Sequence, residues 1–322
     1  MSNARTDSMQ DAPRIVVLGS LNMDLLLRVP HAPDAGETLM GRSLARTPGG
    51  KGGNQAVSCA RQGAAVQMMG CVGADADGQA LREALERDGI DTRNVRVQAD
   101  EPTGTALVMV DDAGQNRIVV IAGANARAQA SEAELAGALA GAAFLLIQFE
   151  TPMAEAVRAM QVARRVGCKV LLNPSPVHAV DDALWPLVDT LVVNEVEAAE
   201  LSGLTVRQPL QAAAAAREFH RRGVARIVVT LGHAGAVALD ATGARHHPAP
   251  RVEVADTTAA GDTLLGALAG ERVRGATLAG ALGQRIRAAA RVGRPVGAQS
   301  SIPSRDAVLH SAPAPLWTRL PS

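Results

Sequence analysis

The chain has 322 residues, enough for one large α/β domain or two modest ones with a sizeable core. Lysine plus arginine and aspartate plus glutamate stand at 32 each, a formal net charge of zero, which argues against a basic face for nucleic acid and against an acidic tail. A small or weakly charged partner is the default, and with Trp 2, Phe 3 and Tyr 0 the composition also argues against aromatic platforms for stacking bases or sugar rings.

Residues 1–13 are polar and read as a flexible tail, not a secretory signal. No apolar run approaches the length of a membrane span. Cys59, Cys71 and Cys168 stand singly in apolar surroundings, which suits small core residues in a reducing compartment. The expected location is the cytoplasm, with no membrane and no nucleic-acid partner.

The first apolar run, Arg14 to Gly19, suits a buried strand opening a parallel sheet. Similar runs recur at 66–70, 143–147, 169–172, 190–193 and 227–231. Ala-rich helical patterns lie between many of them, at 54–62, 78–88, 153–166 and 211–222. Such alternation predicts an α/β fold, a doubly wound, mostly parallel sheet flanked by helices, with ligands beyond the carboxyl ends of the strands. Two segments break the alternation. Residues 25–47 are extended and turn-rich, and 103–121 has the pattern of a hairpin turning at Asp111 to Gly114. These read as a small β lid, spanning about 22–48 and 103–121, on a domain of residues 14–310. The Pro-rich end, 311–322, reads as a loose tail.

Several segments carry chemistry. Asn22 and Asp24 point the same way on an extended segment and could grip vicinal hydroxyls, although an Asx turn would look the same. In Gly49 to Ala56, four glycines flank Lys51, letting backbone approach a ligand closely, with Asn54 expected as a helix N-cap. The spacing is neither that of a P-loop nor that of a dinucleotide fold. Asn194-Glu195-Val196-Glu197 opens a helix, where acidic residues complement the dipole or hold hydrated Mg²⁺. Thr230 to Gly235 ends a strand with glycines that would admit a nucleotide. Most informative is Asp256 to Thr263, in which small residues crowd a helix start and Asp262 sits at the turn. A helix N-terminus offers free N–H donors to an anion, and a carboxylate beside it would face a hydroxyl and take its proton. The plain alternative is an Asx-capped helix.

Taken jointly, these segments resemble the ribokinase-type sugar kinases of the PfkB carbohydrate kinase family. The resemblance spans roughly residues 14–308 and includes Gln148-Phe149-Glu150, Asn173-Pro174-Ser175-Pro176 and Gly297 to Pro303. It implies an ATP-dependent kinase of D-ribose at O5, with another sugar such as deoxyribose or fructose, a nucleoside, or a catalytically weak sugar-binding regulator as alternatives. It implies that Asn22, Asp24, Gly50, Lys51, Gly52, Gly53, Asn54 and Glu150 bind sugar. Asn194, Thr230, Gly232, Gly235 and Gly261 would contact ATP, with Glu197 near Mg²⁺. Asp262 would be the base, and the amides of Ala260, Gly261 and Asp262 the anion hole. Asp256, Thr258, Gly297 and Ser301 would hold a monovalent cation, usually K⁺. A homodimer through the lid is also implied. One departure stands out between Glu271 and Val296. The gap-free match puts Ile286 at the nucleotide-contacting position, Val292 and Pro295 near the cation, and arginines at 272, 274, 285, 287, 291 and 294. Buried arginines are costly unless they snorkel or pair.

Overall fold

The computed structural model describes residues 14–249, 259–282, 297–310 and 316–321. Strand β1 (Arg14–Leu18) is almost wholly buried and leads within three residues into β2 (Asn22–Arg28), which joins a different sheet. After β3 (Ser43–Gly49), helix α1 (Lys51–Arg61) returns the chain to β4 (Val66–Gly73), buried along its whole length. Helix α2 (Ala76–Arg87) follows, its N-terminus capped by the Asp75 carboxylate accepting from the Gly78 amide at 2.8 Å. Next come β5 (Asp91–Gln98), β6 (Gly104–Val110) and β7 (Asn116–Ile121), then α3 (Glu132–Leu139) and β8 (Ala142–Ile147). The chain continues through α4 (Met153–Val166), β9 (Lys169–Leu172), β10 (Thr190–Asn194), α5 (Glu195–Ser202), α6 (Pro209–Arg221) and β11 (Arg226–Thr230). The antiparallel pair β12 (Ala236–Asp240) and β13 (Gly243–His247), helix α7 (Ala260–Val273) and β14 (Thr318–Arg319) complete the elements that matter here.

The large sheet has the order β14-β13-β12-β11-β10-β9-β8-β1-β4-β5, parallel from β11 to β5 and antiparallel at the β12–β14 edge. β1 lies between β4 and β8, with Ile15 beside both Val66 and Phe144. The strand order therefore reverses at β1, and a crevice opens there at the carboxyl ends. Helices cover both faces. On one, Leu145 and Ile147 pack with Met160 of α4 and Phe219 of α6. On the other, Ile15 and Val17 pack with Val57 of α1 and Leu264 and Leu268 of α7. The small sheet has the order β3-β2-β6-β7, so the two segments set apart in the sequence pair with each other.

Three expectations need correction. α1 begins at Lys51, so Asn54 lies inside the helix and is not its N-cap. Its first amides are met by the chain beyond β1 and β8: Lys51 N donates to Glu150 Oε2 (3.3 Å), Gly52 N to Ser20 Oγ (3.4 Å) and Gly53 N to the Ser20 carbonyl (3.0 Å). β5, β12 and β13 join the sheet although the apolar runs did not mark them. Residues 316–321 are docked, not loose. β14 pairs with β13, the Leu320 amide donates to the Ala244 carbonyl at 2.9 Å, and the Arg245 guanidinium lies 4.9 Å from the Trp317 ring centroid. The cysteines are free and buried as expected, and burial drives the Cys168 thiol up to about 12. No helix among the described residues is long and apolar enough to cross a membrane.

Candidate active site

The site begins where α1 and α7 cross. A Cβ on Gly266 would lie 2.4 Å from Ser58 Cβ, so only glycine permits this approach, and Ser58 Oγ donates to the Thr263 carbonyl at 2.9 Å. One turn earlier on each helix, Asn54 and Gln55 meet Asp262. Asn54 Nδ2 donates to Oδ2 at 3.1 Å and Gln55 Nε2 to Oδ1 at 2.9 Å. Asp262 is 8 % exposed, yet it lines a cavity of about 220 Å³ with Lys51, Asn194, Glu197, Thr230 and Gly261. A carboxylate at the first turn of a helix is favoured by the dipole, and two neutral donors fix its orientation. The N-cap of α7, Ala259, has φ 62, a left-handed conformation unusual for a residue with a side chain. It turns the chain so that the amides of residues 260–262, which have no partner inside the helix, start at the cavity wall.

On the β2 side, Asp24 lies against Gly49, where a Cβ would come 2.1 Å from Asp24 Oδ2. Burial, the charge on Glu150 and the charge on Asp262 raise the Asp24 carboxyl to about 7. Burial disfavours the charge on Lys51, but Asp262, Glu150 and Glu197 more than offset it, so its pKa is raised. Asn22 Oδ1 accepts from Asn125 Nδ2 at 2.8 Å, and Asn125 also clamps the Leu21 backbone through both its N–H and its carbonyl. Gly50 and Gly52 pack on the backbone of 19–22, and Gly53 on Leu21 and the Gln299 side chain. Asn54 Oδ1 is buried without a partner among the described residues, an acceptor that a ligand hydroxyl would satisfy.

The other wall is formed by the ends of β10 and β11. Asn194 caps α5, accepting from the Val196 and Glu197 amides at 2.9 Å each, while Glu197 Oε2 accepts from the Asn194 amide. This capping box realises the plain reading of the motif and still leaves Glu197 facing the cavity. Gly232 has φ 51 and no described residue within 4 Å of where a Cβ would stand, whereas Gly235, with φ 93, packs under the His247 carbonyl. Gly297 has φ 111 and touches Thr47 of β3, and Ser301 Oγ donates to the Ala298 carbonyl at 2.8 Å. Asp256 and Thr258 lie outside the described residues, as do Ile286, Val292, Pro295 and the arginines at 285, 287, 291 and 294. Arg272, half-buried, donates to the Ala276 carbonyl (2.6 Å), and Arg274, exposed, donates to the Gln62 carbonyl (2.8 Å) and Glu271 (2.6 Å).

The model of the pfkB family of carbohydrate kinases matches residues 12–305. The chain belongs to this family. It is a phosphotransferase with an alcohol group as acceptor. A ribokinase of Haemophilus influenzae is 37% identical over 300 residues, covering 92% of this chain and 97% of that one. A ribokinase of Mus musculus is 37% identical over 264 residues, covering 81% and 82%. The structure of Arabidopsis thaliana ribokinase complexed with ribose and ATP superposes with a TM-score of 0.86 at 31% identity, covering 92% of this chain and 98% of that one. In this carbohydrate kinase, sequence reading did not foresee the placing of Gln55, Ser20, Asn125 and Asn173 around the site. Each is a polar residue standing just past a strand end or inside the glycine-rich helix start, which is the signal that could have marked them.

Proposed function

We propose that the protein transfers the γ-phosphoryl group of ATP to O5 of D-ribose, giving D-ribose 5-phosphate. The observation that carries this reading is Asp262, held by two amide donors at the cavity wall beside three consecutive helix-start amides. The primary hydroxyl of the sugar gives its proton to Asp262 as the phosphoryl group arrives in line, and the amides of Ala260, Gly261 and Asp262 take up the developing charge. Asp24, Glu150, Asn22, Asn54 and Lys51 receive the remaining hydroxyls, with Asn54 Oδ1, which has no partner among the described residues, as acceptor for one of them. Asn194, Thr230 and Gly232 line the nucleotide side.

Mg²⁺ bound to ATP would neutralise charge on the β and γ oxygens, and because it keeps several waters it needs few carboxylate contacts. Glu197 fits that role, since Oε1 has no partner among the described residues while Oε2 is used by the Asn194 amide. A K⁺ site would include the Gly297 segment, Ser301, Asp256 and Thr258. The small sheet covers the crevice as a lid that excludes water from the transferring group. Its outer strand β7 exposes Ile118, Val119, Val120 and Ile121, each at least half exposed, an apolar edge that a second lid would cover in a homodimer.

Coupled measurement of ADP formation over ribose, deoxyribose, fructose and nucleosides, with and without K⁺, tests the reading. Ribose is expected to give the highest kcat/KM. Turnover confined to another acceptor would reassign the substrate, and sugar binding without turnover would leave a binding protein.

A further inference from the structure

The base assigned to Asp262 has a buried support that no sugar or nucleotide contact requires. Gln55 and Gln148 are both 0% exposed. Gln148 Nε2 donates to Gln55 Oε1, and Gln55 Nε2 donates in turn to Asp262 Oδ1 (2.9 Å) and Asn173 Oδ1 (3.5 Å). Asn173 is itself fixed, its Nδ2 donating to the Val192 carbonyl at 3.1 Å. The Gln55 amide is therefore locked one way round. If it were flipped, its oxygen would face the Asp262 carboxylate and the Asn173 oxygen, and its nitrogen would face the Gln148 donor, three unfavourable contacts in place of three hydrogen bonds. Buried polar side chains are expensive when an apolar residue could fill the same volume, and the series Gln148, Gln55, Asp262 ends on the one group that must hold a defined lone pair toward the cavity.

We propose that Gln55 is the positioning residue of Asp262, with Gln148 and Asn173 holding Gln55 in the donating orientation. The inference rests on Asp262 being the base. Asn54 fixes the second carboxylate oxygen, whereas Gln55, closed off from solvent, acts only through Asp262. A misaimed base costs rate without costing sugar affinity, because the hydroxyl-binding groups stay in place.

The test compares Gln55→Glu, Gln55→Leu, Asp262→Ala and the double variant Gln55→Leu/Asp262→Ala for kcat, ribose affinity by calorimetry and melting temperature. Gln55→Glu keeps the shape and the contact with Gln148 and, once ionised, faces Asp262 with an acceptor, so its kcat is read across the alkaline range, where it reports on the donor even if Gln55→Leu fails to fold. The expected result is a kcat lower by about 10-fold to 100-fold in both single Gln55 variants, with ribose affinity within about 3-fold of the parent. In the double variant, kcat should match that of Asp262→Ala, since a residue that acts through Asp262 has nothing left to position. A kcat for Gln55→Glu within 2-fold of the parent (roughly the spread of a neutral change), or losses that multiply in the double variant, would overturn the proposal. If Asp262→Ala itself turns over normally, it is the base assignment that fails, whatever Gln55 does.

Discussion

The two walls of the crevice are built on opposite principles. On the sugar side, glycines are there because no side chain fits. A Cβ on Gly52 would lie 2.6 Å from the Gly19 carbonyl carbon, and one on Gly50 2.7 Å from the Asn22 amide. On the phosphate side, Gly235 is packed under His247, but Gly232 and Gly261 have nothing among the described residues within 4 Å of that position. The first wall is a packed surface that fixes where Asn22, Asp24, Asn54 and Glu150 stand. The second is backbone left bare, and its openness is the space a phosphate chain would use. Substituting glycine should therefore break folding on one wall and turnover on the other.

Gly52→Ala tests the first half of that contrast most harshly. The colliding atoms are backbone, which cannot rotate away, so the variant should lose about 3 kcal/mol or more of stability. A melting temperature unchanged from the parent would show that α1 does not need its close seat on β1. Gly261→Ala tests the second half. Alanine suits a helix first turn, so the fold should be as stable as the parent. The added methyl intrudes where the phosphoryl group meets the amides, and kcat should fall by about 10-fold to 100-fold. Full activity in that variant would move the anion hole elsewhere.

Asp24→Asn sharpens the comparison through pH. The folded protein holds a proton on Asp24 up to about 7, whereas an unfolded chain releases it near the ordinary carboxylate value. The parent therefore loses stability as pH rises between those values. Asparagine does not titrate, so the variant should gain on the parent by up to about 4 kcal/mol above about pH 8 and match its pH dependence below about pH 4. Urea unfolding at several pH values, without sugar, measures it, and parallel curves for the two proteins would contradict the packed, charge-crowded picture of that wall. Asn194→Ala should cost least. It removes the cap that accepts from the Val196 and Glu197 amides, worth about 1 kcal/mol, and should raise the KM for ATP more than that for ribose. An equal rise in both would mean that Asn194 does not belong to the nucleotide wall.

The sequence marked what local pattern governs. β9 and α4 have the bounds their apolar spacing suggests, and the central strands follow the Val- and Leu-rich runs. β5 escaped because Asp91–Gln98 reads mostly polar, as suits an edge strand with one covered face. Asn54 was misplaced by one turn because helix propensity disfavours Gly52 and Gly53 inside a helix, and close packing on β1 overrides it. The sugar, nucleotide and base residues announced themselves as motifs at strand ends. Their mutual wiring did not. Gln55 meets Asp262 across 207 residues, and nothing local to either side shows that α1 and α7 cross at Ser58 and Gly266. The left-handed turn at Ala259 was equally hidden, since the residue type does not suggest it.

The central claim is that a carboxylate aimed by amides, beside a bare helix start, removes the proton from the sugar. Ribose-dependent ADP formation by Asp262→Ala, with ribose affinity measured on the same preparation, tests it most directly. The account predicts kcat reduced by about 10² or more with ribose still bound. Turnover close to that of the parent would contradict it.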